Sequence, residues 1–399
     1  MISVLLTPIY ALLLIYITRR TLQWIGACVN PLKARWFTIV FSAIIFLLAV
    51  SPVIAFFMPD IGALTRIVRR TSTYSLGVLL YAVMFLALAD LVALILKKTK
   101  FISKNVAKSK KAFIILGVCI CLATSSMSIY GRINASNIKT KNYDVTIAKE
   151  CAGHDKLTVA LVADLHLGYS IGLEMMEDMV SKINAMNADV VVIAGDIFDN
   201  DYDAVYQPEK IIECLKTIKS KYGVYACYGN HDVEENTLVG FTFKSIYAPT
   251  SGNAMYSFLE KAGIKLLQDE SVLIDNSFYL AGRIDYSRPG RDEARKTPNQ
   301  LLYGLDKSKP VIVIDHQPKE LSELAQAGVD LDLSGHTHDG QIFPGNIMIN
   351  FFWENACGKM QKDNMTSIVT SGVGLFGPNM RTFTDSEVVK INVNFSKES

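Results

Sequence analysis

The chain has 399 residues, a formal net charge of +2 and a hydrophobic share of 50%. This length suggests two or three domains, and the small net charge, without a basic stripe, argues against a nucleic-acid partner. The apolar residues are concentrated in positions 1–131, which excludes an ordinary soluble protein over the whole length.

Four apolar runs predict a four-helix, all-α transmembrane region, with helices at about residues 2–18, 36–58, 73–96 and 112–130. About 20 helical residues cross the hydrocarbon core, and the last three runs reach that length. The first run is shorter, so a signal peptide is the alternative. No basic residue precedes it, and Arg19 and Arg20 follow it without a small-residue cleavage site, which favours a fourth span. We therefore expect a multi-pass protein of the cell membrane, with the lipid bilayer as a partner.

Basic residues predict the orientation of these spans, because short cytoplasmic loops collect lysine and arginine. The predicted first and third loops hold eleven basic residues, namely Arg19, Arg20, Lys33, Arg35, Lys97, Lys98, Lys100, Lys104, Lys108, Lys110 and Lys111. The second loop holds three, Arg66, Arg69 and Arg70. This bias places the later part of the chain outside the cytoplasm. Asp90, an acid within the third run, either marks a transport site or pairs within the bundle.

Residues 132–142 are polar and predict a linker, after which residues 143–399 have the composition of a globular domain. Apolar runs alternate there with helical patterns, which is typical of a buried α/β sheet. One predicted helix has an apolar face, and a second is expected to end at Gly223. The apolar face consists of Met176, Met179, Val180 and Ile183.

Polar side chains follow five of the predicted strands, and they include five of the six histidines. The segments are Asp164-Leu165-His166, Gly195-Asp196, Gly229-Asn230-His231-Asp232, Asp315-His316 and Gly335-His336-Thr337-His338. A single buried histidine is more often hydrogen-bonded in the core than a ligand, so each segment alone is weak. Together they indicate one site at one edge of the sheet. The sixth histidine, His154, is expected to be an exposed linker residue.

Metal binding explains this combination of residue types. Imidazole, carboxylate and amide oxygen suit Mn, Fe or Zn rather than Ca. In D-x-H and H-x-H the outer side chains of an extended segment point the same way, and the preceding glycines allow sharp turns. A carboxylate such as Asp196 can bridge two ions about 3.5–4 Å apart, which together clamp a phosphoryl group.

This order of segments resembles the calcineurin-like metallophosphoesterase superfamily, whose pattern is D-x-H, G-D, G-N-H-[DE], a later H and G-H-x-H. The resemblance covers residues 143–399 and implies a β-sandwich flanked by helices, that is, a C-terminal α/β metallophosphoesterase domain. The stretches "GHTHDGQIFP", "SGVG" and "SEVVKI" are similar to a membrane-associated bacterial branch that includes lipid-precursor pyrophosphohydrolases. Asp339 stands where that branch often has glycine.

The resemblance also implies roles for individual residues and two divalent metal ions per chain. One ion would be held by Asp164, His166, Asp196 and His338. The other would be held by Asp196, Asn230, His316 and His336. His231 would face the leaving group, and Asp232 would orient His231.

We therefore expect a membrane-anchored, binuclear-metal hydrolase of phosphoric esters that acts through a metal-activated hydroxide. A phosphodiester or a pyrophosphate, including a lipid-linked one, fits as the phosphorylated substrate. Arg283 and Arg381 are candidate substrate contacts because guanidinium groups bind phosphate bidentately, although either could be an ordinary ion-pair residue. The alternatives are a membrane sensor or scaffold, or a transporter-coupled protein, whose domain only binds a phosphorylated ligand. A degenerate domain would lose ligands, and this sequence retains them all.

Overall fold

The computed structural model describes residues 2–29, 31–58, 62–99, 109–234, 237–238, 241–242, 252–287 and 294–396. The chain divides into two compact units. One is built mainly on Met1–Ile133, and the other comprises most of the chain from Asn134 onward.

The first unit contains four helices, α1 (Ile2–Cys28), α2 (Pro31–Phe57), α3 (Ala63–Lys98) and α4 (Lys110–Ala135). Within the described residues, three segments are long and apolar enough to cross a membrane, Arg35–Ala55, Ala63–Lys98 and Lys110–Ala135. Three of the four predicted spans, those in α2, α3 and α4, are therefore confirmed by length and composition. Helix α1 is 27 residues long, but Arg19 and Arg20 interrupt its apolar run. Large apolar side chains on the other helices face outward, as lipid contact requires, among them Phe46, Leu88 and Leu122.

The predicted helix ends in this unit are wrong, because hydropathy marks the hydrocarbon core and not the full helix. Eleven arginine and lysine residues assigned to loops lie inside helices, where their long side chains are good helix formers. They are Arg19, Arg20, Lys33, Arg35, Arg66, Arg69, Arg70, Lys97, Lys98, Lys110 and Lys111.

Asp90 lies within α3 and is paired inside the first unit. The guanidinium of Arg20 forms an ion pair with it, and the hydroxyl of Tyr16 donates a hydrogen bond of 2.8 Å to Oδ2. This geometry agrees with the alternative in which the acid pairs within the bundle.

The predicted linker at residues 132–142 is wrong. Helix α4 continues to Ala135, and strand β1 (Ile138–Ile147) begins after only two intervening residues. The segment looked like a linker because β1 is an edge strand with a largely exposed surface, and its buried positions include Ile138 at 2% exposure. The hydroxyl of Ser386 donates to the carbonyl of Ala135, at 3.1 Å, and holds this junction.

The second unit is a sandwich of two six-stranded sheets. The strands after β1 are β2 (Lys156–Val162), β3 (Val190–Ala194), β4 (Val224–Cys227), β5 (Thr237–Leu238), β6 (Phe241–Thr242), β7 (Ile264–Leu266), β8 (Glu270–Ile274), β9 (Phe278–Gly282), β10 (Val311–Ile314), β11 (Leu331–Ser334), β12 (Gly358–Lys362), β13 (Met365–Val369) and β14 (Ser386–Phe395). The first sheet has the order β1-β14-β2-β3-β4-β7, and the second has the order β12-β13-β11-β10-β9-β8. Strands β5 and β6 form a separate pair.

Helices cover the outer faces of both sheets. They are α5 (Leu173–Ala185), α6 (Pro208–Leu215), α7 (Asn253–Lys261), α8 (Pro298–Leu301) and α9 (Leu321–Ala327). A further short helix, α10 (Gly345–Met348), has no buried residue. One core lies between the sheets, where Leu161 and Val192 meet Ile312 and Leu333. Two further cores lie under the helices. The expected β-sandwich flanked by helices is thus confirmed.

The two predicted helices differ in outcome. The apolar face of α5 is buried as predicted. Helix α6, in contrast, ends at Leu215, well before Gly223, so the assignment of Gly223 as its end is wrong. The polar stretch that follows Leu215 includes Ser220, whose hydroxyl bonds to the backbone of Gly223 (2.8 Å to its carbonyl) and closes a turn there.

Candidate metal centre

The candidate ligands lie just beyond the carboxyl ends of strands from both sheets. Asp164, Asp196 and Asn230 follow β2, β3 and β4 of the first sheet, and His316 and His336 follow β10 and β11 of the second. Parallel neighbouring strands deliver such residues to one edge, where sites form in α/β folds. The structure therefore brings the sequence-predicted segments together.

The backbone at the candidate ligands is strained. Five of the seven have positive φ angles, a region that residues other than glycine rarely occupy. These angles are 53° at Asp164, 47° at His166, 51° at Asp196, 73° at His336 and 51° at His338. The side chains of D-x-H and H-x-H consequently converge through left-handed turns, and the predicted extended geometry is wrong. Asp339 also has φ 51° and ψ 34°, a conformation that glycine adopts more readily.

Two glycines allow the close packing of this edge. At Gly195, φ is 79°, and an added Cβ would press on the ring of His316. At Gly229 an added Cβ would overlap the carboxylate of Asp196. A side chain at either position would displace a candidate ligand.

The first group of candidate ligands is formed by Asp164, His166 and His338, whose donor atoms lie within 4.8 Å of one another. The two Nε2 atoms of the histidines are 3.0 Å apart, and Nε2 of His338 is 3.7 Å from Oδ1 of Asp164. All three side chains are buried.

The second group is formed by Asp196, His316 and His336, again with donor atoms within 4.8 Å. Nε2 of His316 lies 3.1 Å from Oδ2 of Asp196, 3.1 Å from Nδ1 of His336 and 3.2 Å from Oδ1 of Asn230. The same Oδ2 of Asp196 is 3.7 Å from Nε2 of His166 in the first group. Asp196 thus lies between the two groups.

This donor set fits divalent cations. One imidazole nitrogen carries at most one proton, so the three close neighbours of His316 Nε2 cannot all receive a hydrogen bond from it. Burial lowers the pKa of His338, and it lowers that of His336 to about 3. Neutral imidazole is the form that binds metals.

The carboxylates add concentrated negative charge. Burial would raise the pKa of Asp196, but His316 and His231 outweigh it and hold that pKa well below its ordinary value. Burial would lower the pKa of His316, but Asp196 and Asp164 raise it well above its ordinary value. A buried pocket that holds a carboxylate in its charged form is suited to a cation.

His231 lies beside the first group, with its ring centroid 5.1 Å from that of His166. Its Nδ1 forms a hydrogen bond with the side-chain oxygen of Asn200 and is 3.8 Å from Oδ1 of Asp199. Sequence reasoning missed Asn200 and Asp199, although both follow Gly195-Asp196 in the stretch "GDIFDN".

The carboxylate of Asp232 accepts hydrogen bonds from the backbone amides of Phe198, at 2.8 Å, and Gly229, at 2.7 Å. It therefore holds two ligand-bearing loops together, while Asn200 is the side chain hydrogen-bonded to the ring of His231. The role of Asp232 in orienting His231 stays a prediction. Two aromatic rings also border the centre, with Phe376 5.2 Å from His231 and Trp353 5.0 Å from His336 between ring centroids.

The two arginines predicted to contact substrate are fully buried. Arg283 pairs with Asp315 (3.2 Å) and Glu320 (2.9 Å). Arg381 donates to the backbone carbonyls of His338 (3.1 Å) and Ser371 (2.6 Å). Both therefore have protein partners in place of the open position that a substrate contact requires.

His154, expected to be an exposed linker residue, lies in the turn between β1 and β2. Its Nε2 is 3.0 Å from Oδ2 of Asp275, and its side chain is only 13% exposed. Nearby, Tyr222 donates to the same carboxylate oxygen at 2.8 Å.

Comparison with known proteins agrees with this geometry. Residues 157–340 match the model of the calcineurin-like phosphoesterase family, a range that contains all seven candidate ligands. The chain therefore contains a calcineurin-like metallophosphoesterase domain.

Individual relatives are similar over the domain and beyond it. A transmembrane protein with metallophosphoesterase domain from Danio rerio is 28% identical over 291 residues, covering 69% of this chain and 62% of the relative. An uncharacterized metallophosphoesterase from Campylobacter jejuni is 27% identical, covering 72% and 70%. One from Aquifex aeolicus is 27% identical, covering 67% and 96%. The chain spans only 62% and 60% of the first two relatives it matches.

Proposed function

We propose that this protein is a membrane-anchored hydrolase of phosphoric esters that works with two divalent metal ions. The position of Asp196 carries the proposal, because one carboxylate oxygen faces His316 at 3.1 Å and His166 at 3.7 Å. Asp164, His166 and His338 would hold one ion, Asn230, His316 and His336 the other, and Asp196 both. Bound at these positions, Mn, Fe or Zn would supply positive charge that activates water and neutralises phosphoryl oxygens.

In this proposal His231 delivers a proton to the leaving oxygen. Its ring is buried beside the first group of ligands, and Asn200 fixes its orientation through Nδ1, which leaves Nε2 for the substrate. Its backbone amide donates to Oδ1 of Asp196 at 2.7 Å. This hydrogen bond fixes the position of the proton donor, His231, relative to the bridging carboxylate.

Replacing His231 with glutamine should slow esters with poor leaving groups most. General acid catalysis contributes about 10²–10⁴-fold, and a nitrophenolate leaving group, which needs no proton, should escape most of that loss. The measurement is kcat of the full-length protein for an alkyl and a nitrophenyl ester of the same phosphate. His154→Gln, outside the centre, is the matched control. An equal loss for both esters, with metal content unchanged, would contradict the role of His231.

The two-cation site and the short connection to α4 together suggest a class of substrate. Among the described residues of the centre, none selects a monoester over a phosphodiester or a pyrophosphate, and all three suit an attack between two cations. Only two residues separate α4 from β1, so the domain stays close to a bilayer that α4 crosses. This tether favours phosphates of lipids or of the cell envelope as substrates.

The transporter-coupled alternative depends on Asp90. Because Arg20 and Tyr16 already pair with this acid, we expect Asp90→Asn to leave hydrolysis of a soluble nitrophenyl ester nearly unchanged. The assay is turnover by the purified full-length variant, with Asp178→Asn on the surface as control. A collapse of turnover in a variant that still inserts and folds would support coupling and count against a simple anchor.

The basic residues support a catalytic domain outside the cytoplasm. The orientation rule counts lysine and arginine within about 15–20 residues of the span ends, so their location inside helix ends does not alter the bias. We expect external protease to remove a C-terminal tag from intact cells. Protection of the tag until lysis would reverse the proposed orientation.

A further inference from the structure

A short apolar segment next to the metal centre is exposed. It comprises the end of α10, from Ile347, and the following helical turn to Phe352, and its large side chains face outward. Their exposed fractions are 54% at Ile347, 53% at Met348, 82% at Phe351 and 75% at Phe352. We call residues 347–352 the apolar segment. Clustered exposed apolar side chains of this size mark interaction surfaces.

The apolar segment is ordered and fixed at both ends. At its start, the amide of Met348 donates to the carbonyl of Pro344 at 3.1 Å, and at its end the amide of Phe352 donates to the carbonyl of Ile349 at 3.0 Å. After it, Trp353 packs against His336 and the amide of the buried Asn355 side chain donates to the carbonyl of Ser367 at 3.3 Å. The apolar side chains are therefore exposed on an ordered segment, and the residue that follows the segment, Trp353, contacts the candidate ligand His336.

Neighbouring side chains give this surface the composition of a membrane-interface element. Phe383 is 57% exposed and packs edge-on against Phe343, with centroids 5.5 Å apart. The ammonium group of Lys319 lies 5.1 Å from the ring centroid of Trp353. Exposed phenylalanine beside tryptophan and lysine is typical of segments that lie at the level of lipid headgroups.

The short connection to α4 indicates that the partner of the apolar segment is the lipid bilayer. Helix α4 meets the length and composition of a membrane span, and two residues after it the sandwich begins. Two extended residues reach at most about 7 Å, so a bilayer crossed by α4 remains within reach of the domain and its effective concentration there is high.

We propose that the apolar segment inserts into the interfacial layer of the bilayer and sets the metal centre at the level of the headgroups. Its phenylalanine rings contact acyl chains, and Lys319 faces anionic headgroups. A phosphate presented by a lipid then reaches the centre without leaving the membrane. That last consequence rests on the proposed function, whereas the lipid contact does not.

Photocrosslinking of the full-length protein in vesicles of phosphatidylethanolamine and phosphatidylglycerol tests the contact without relying on hydrolysis. The photoreactive amino acid p-benzoylphenylalanine replaces Phe351, or Phe352 in a second variant. The matched control replaces Tyr303, an aromatic residue of the same domain that is 89% exposed. Leu122 in α4 serves as the lipid-facing reference.

After irradiation, peptides carrying positions 351 and 352 should gain the mass of one phospholipid, and the peptide carrying position 303 should not. Absence of lipid adducts at both test positions, while position 122 forms them, would overturn the proposal. Crosslinks from position 351 to a second copy of the chain in place of lipid would also overturn it. Because catalysis is not the readout, a failed hydrolysis assay leaves this result interpretable.

Discussion

Asp196→Asn is expected to reduce bound metal below two ions per chain and to lower turnover by at least about 10²–10³-fold, the loss typical of a single electrostatic contact in an active site. Asparagine retains Oδ1, which accepts the amide of His231 at 2.7 Å, so the local fold should persist. It removes the negative charge at Oδ2, which lies between the two groups of candidate ligands. Elemental analysis and the rate with a nitrophenyl ester measure the two effects.

The matched control for this variant is Asp178→Asn on α5. Asp178 forms a surface ion pair with Lys182 at 3.1 Å, and such pairs contribute little to stability. It should retain full metal content and turnover. Two full equivalents of metal in Asp196→Asn, with turnover near that of the parent protein, would contradict the bridging role.

Arg283→Met is expected to destabilise the domain by about 3 kcal/mol, because removing one partner of a buried ion pair leaves the other charge uncompensated. Arg283 and Asp315 are both fully buried. Arg295 remains bonded to Asp315 at 2.5 Å, which keeps the loss at the lower end of the range for such pairs. Thermal unfolding of the full-length protein in detergent measures the effect.

The same variant separates a structural from a substrate-binding role. If Arg283 acts through Asp315 and Glu320, the folded fraction should keep the KM of the parent protein. The surface variant Lys182→Met should change neither stability nor KM. A large increase in KM without a change in the unfolding temperature would restore Arg283 as a substrate contact and contradict the role assigned by the structure.

The candidate ligands could be predicted from the sequence because their residue types are rare and stand at strand ends. Histidine occurs six times in the chain, so its recurrence after apolar runs was informative. Their geometry could not be predicted in the same way. The left-handed turns at Asp164 and His338 depend on packing across two sheets. The sequence pattern correctly predicts that the ligand side chains converge, but they do so through these turns and not through an extended backbone.

Other features were missed because they depend on contacts between distant parts of the chain. Asn200 supports His231 from 31 positions away, and nothing in its local sequence indicates that partner. Most buried partners of Arg381 are backbone carbonyls, which no side-chain motif reports, and one is Nδ1 of His338 at 3.2 Å. The first half of β1, residues 138–142, lay inside the predicted linker because its exposed edge is polar. Its pairing partner, β14, begins only at Ser386, so local patterning could not show that the strand starts at Ile138.

The most direct test of the central claim is the number of metal ions that restores turnover to metal-stripped, full-length protein. Titration with Mn²⁺ should raise the hydrolysis rate of a nitrophenyl ester until two ions are bound per chain, after which the rate should remain constant, as expected for a two-metal centre. Full turnover by the stripped protein, or no turnover with two ions bound, would contradict the proposal that Asp196 joins two metal sites into one hydrolytic centre.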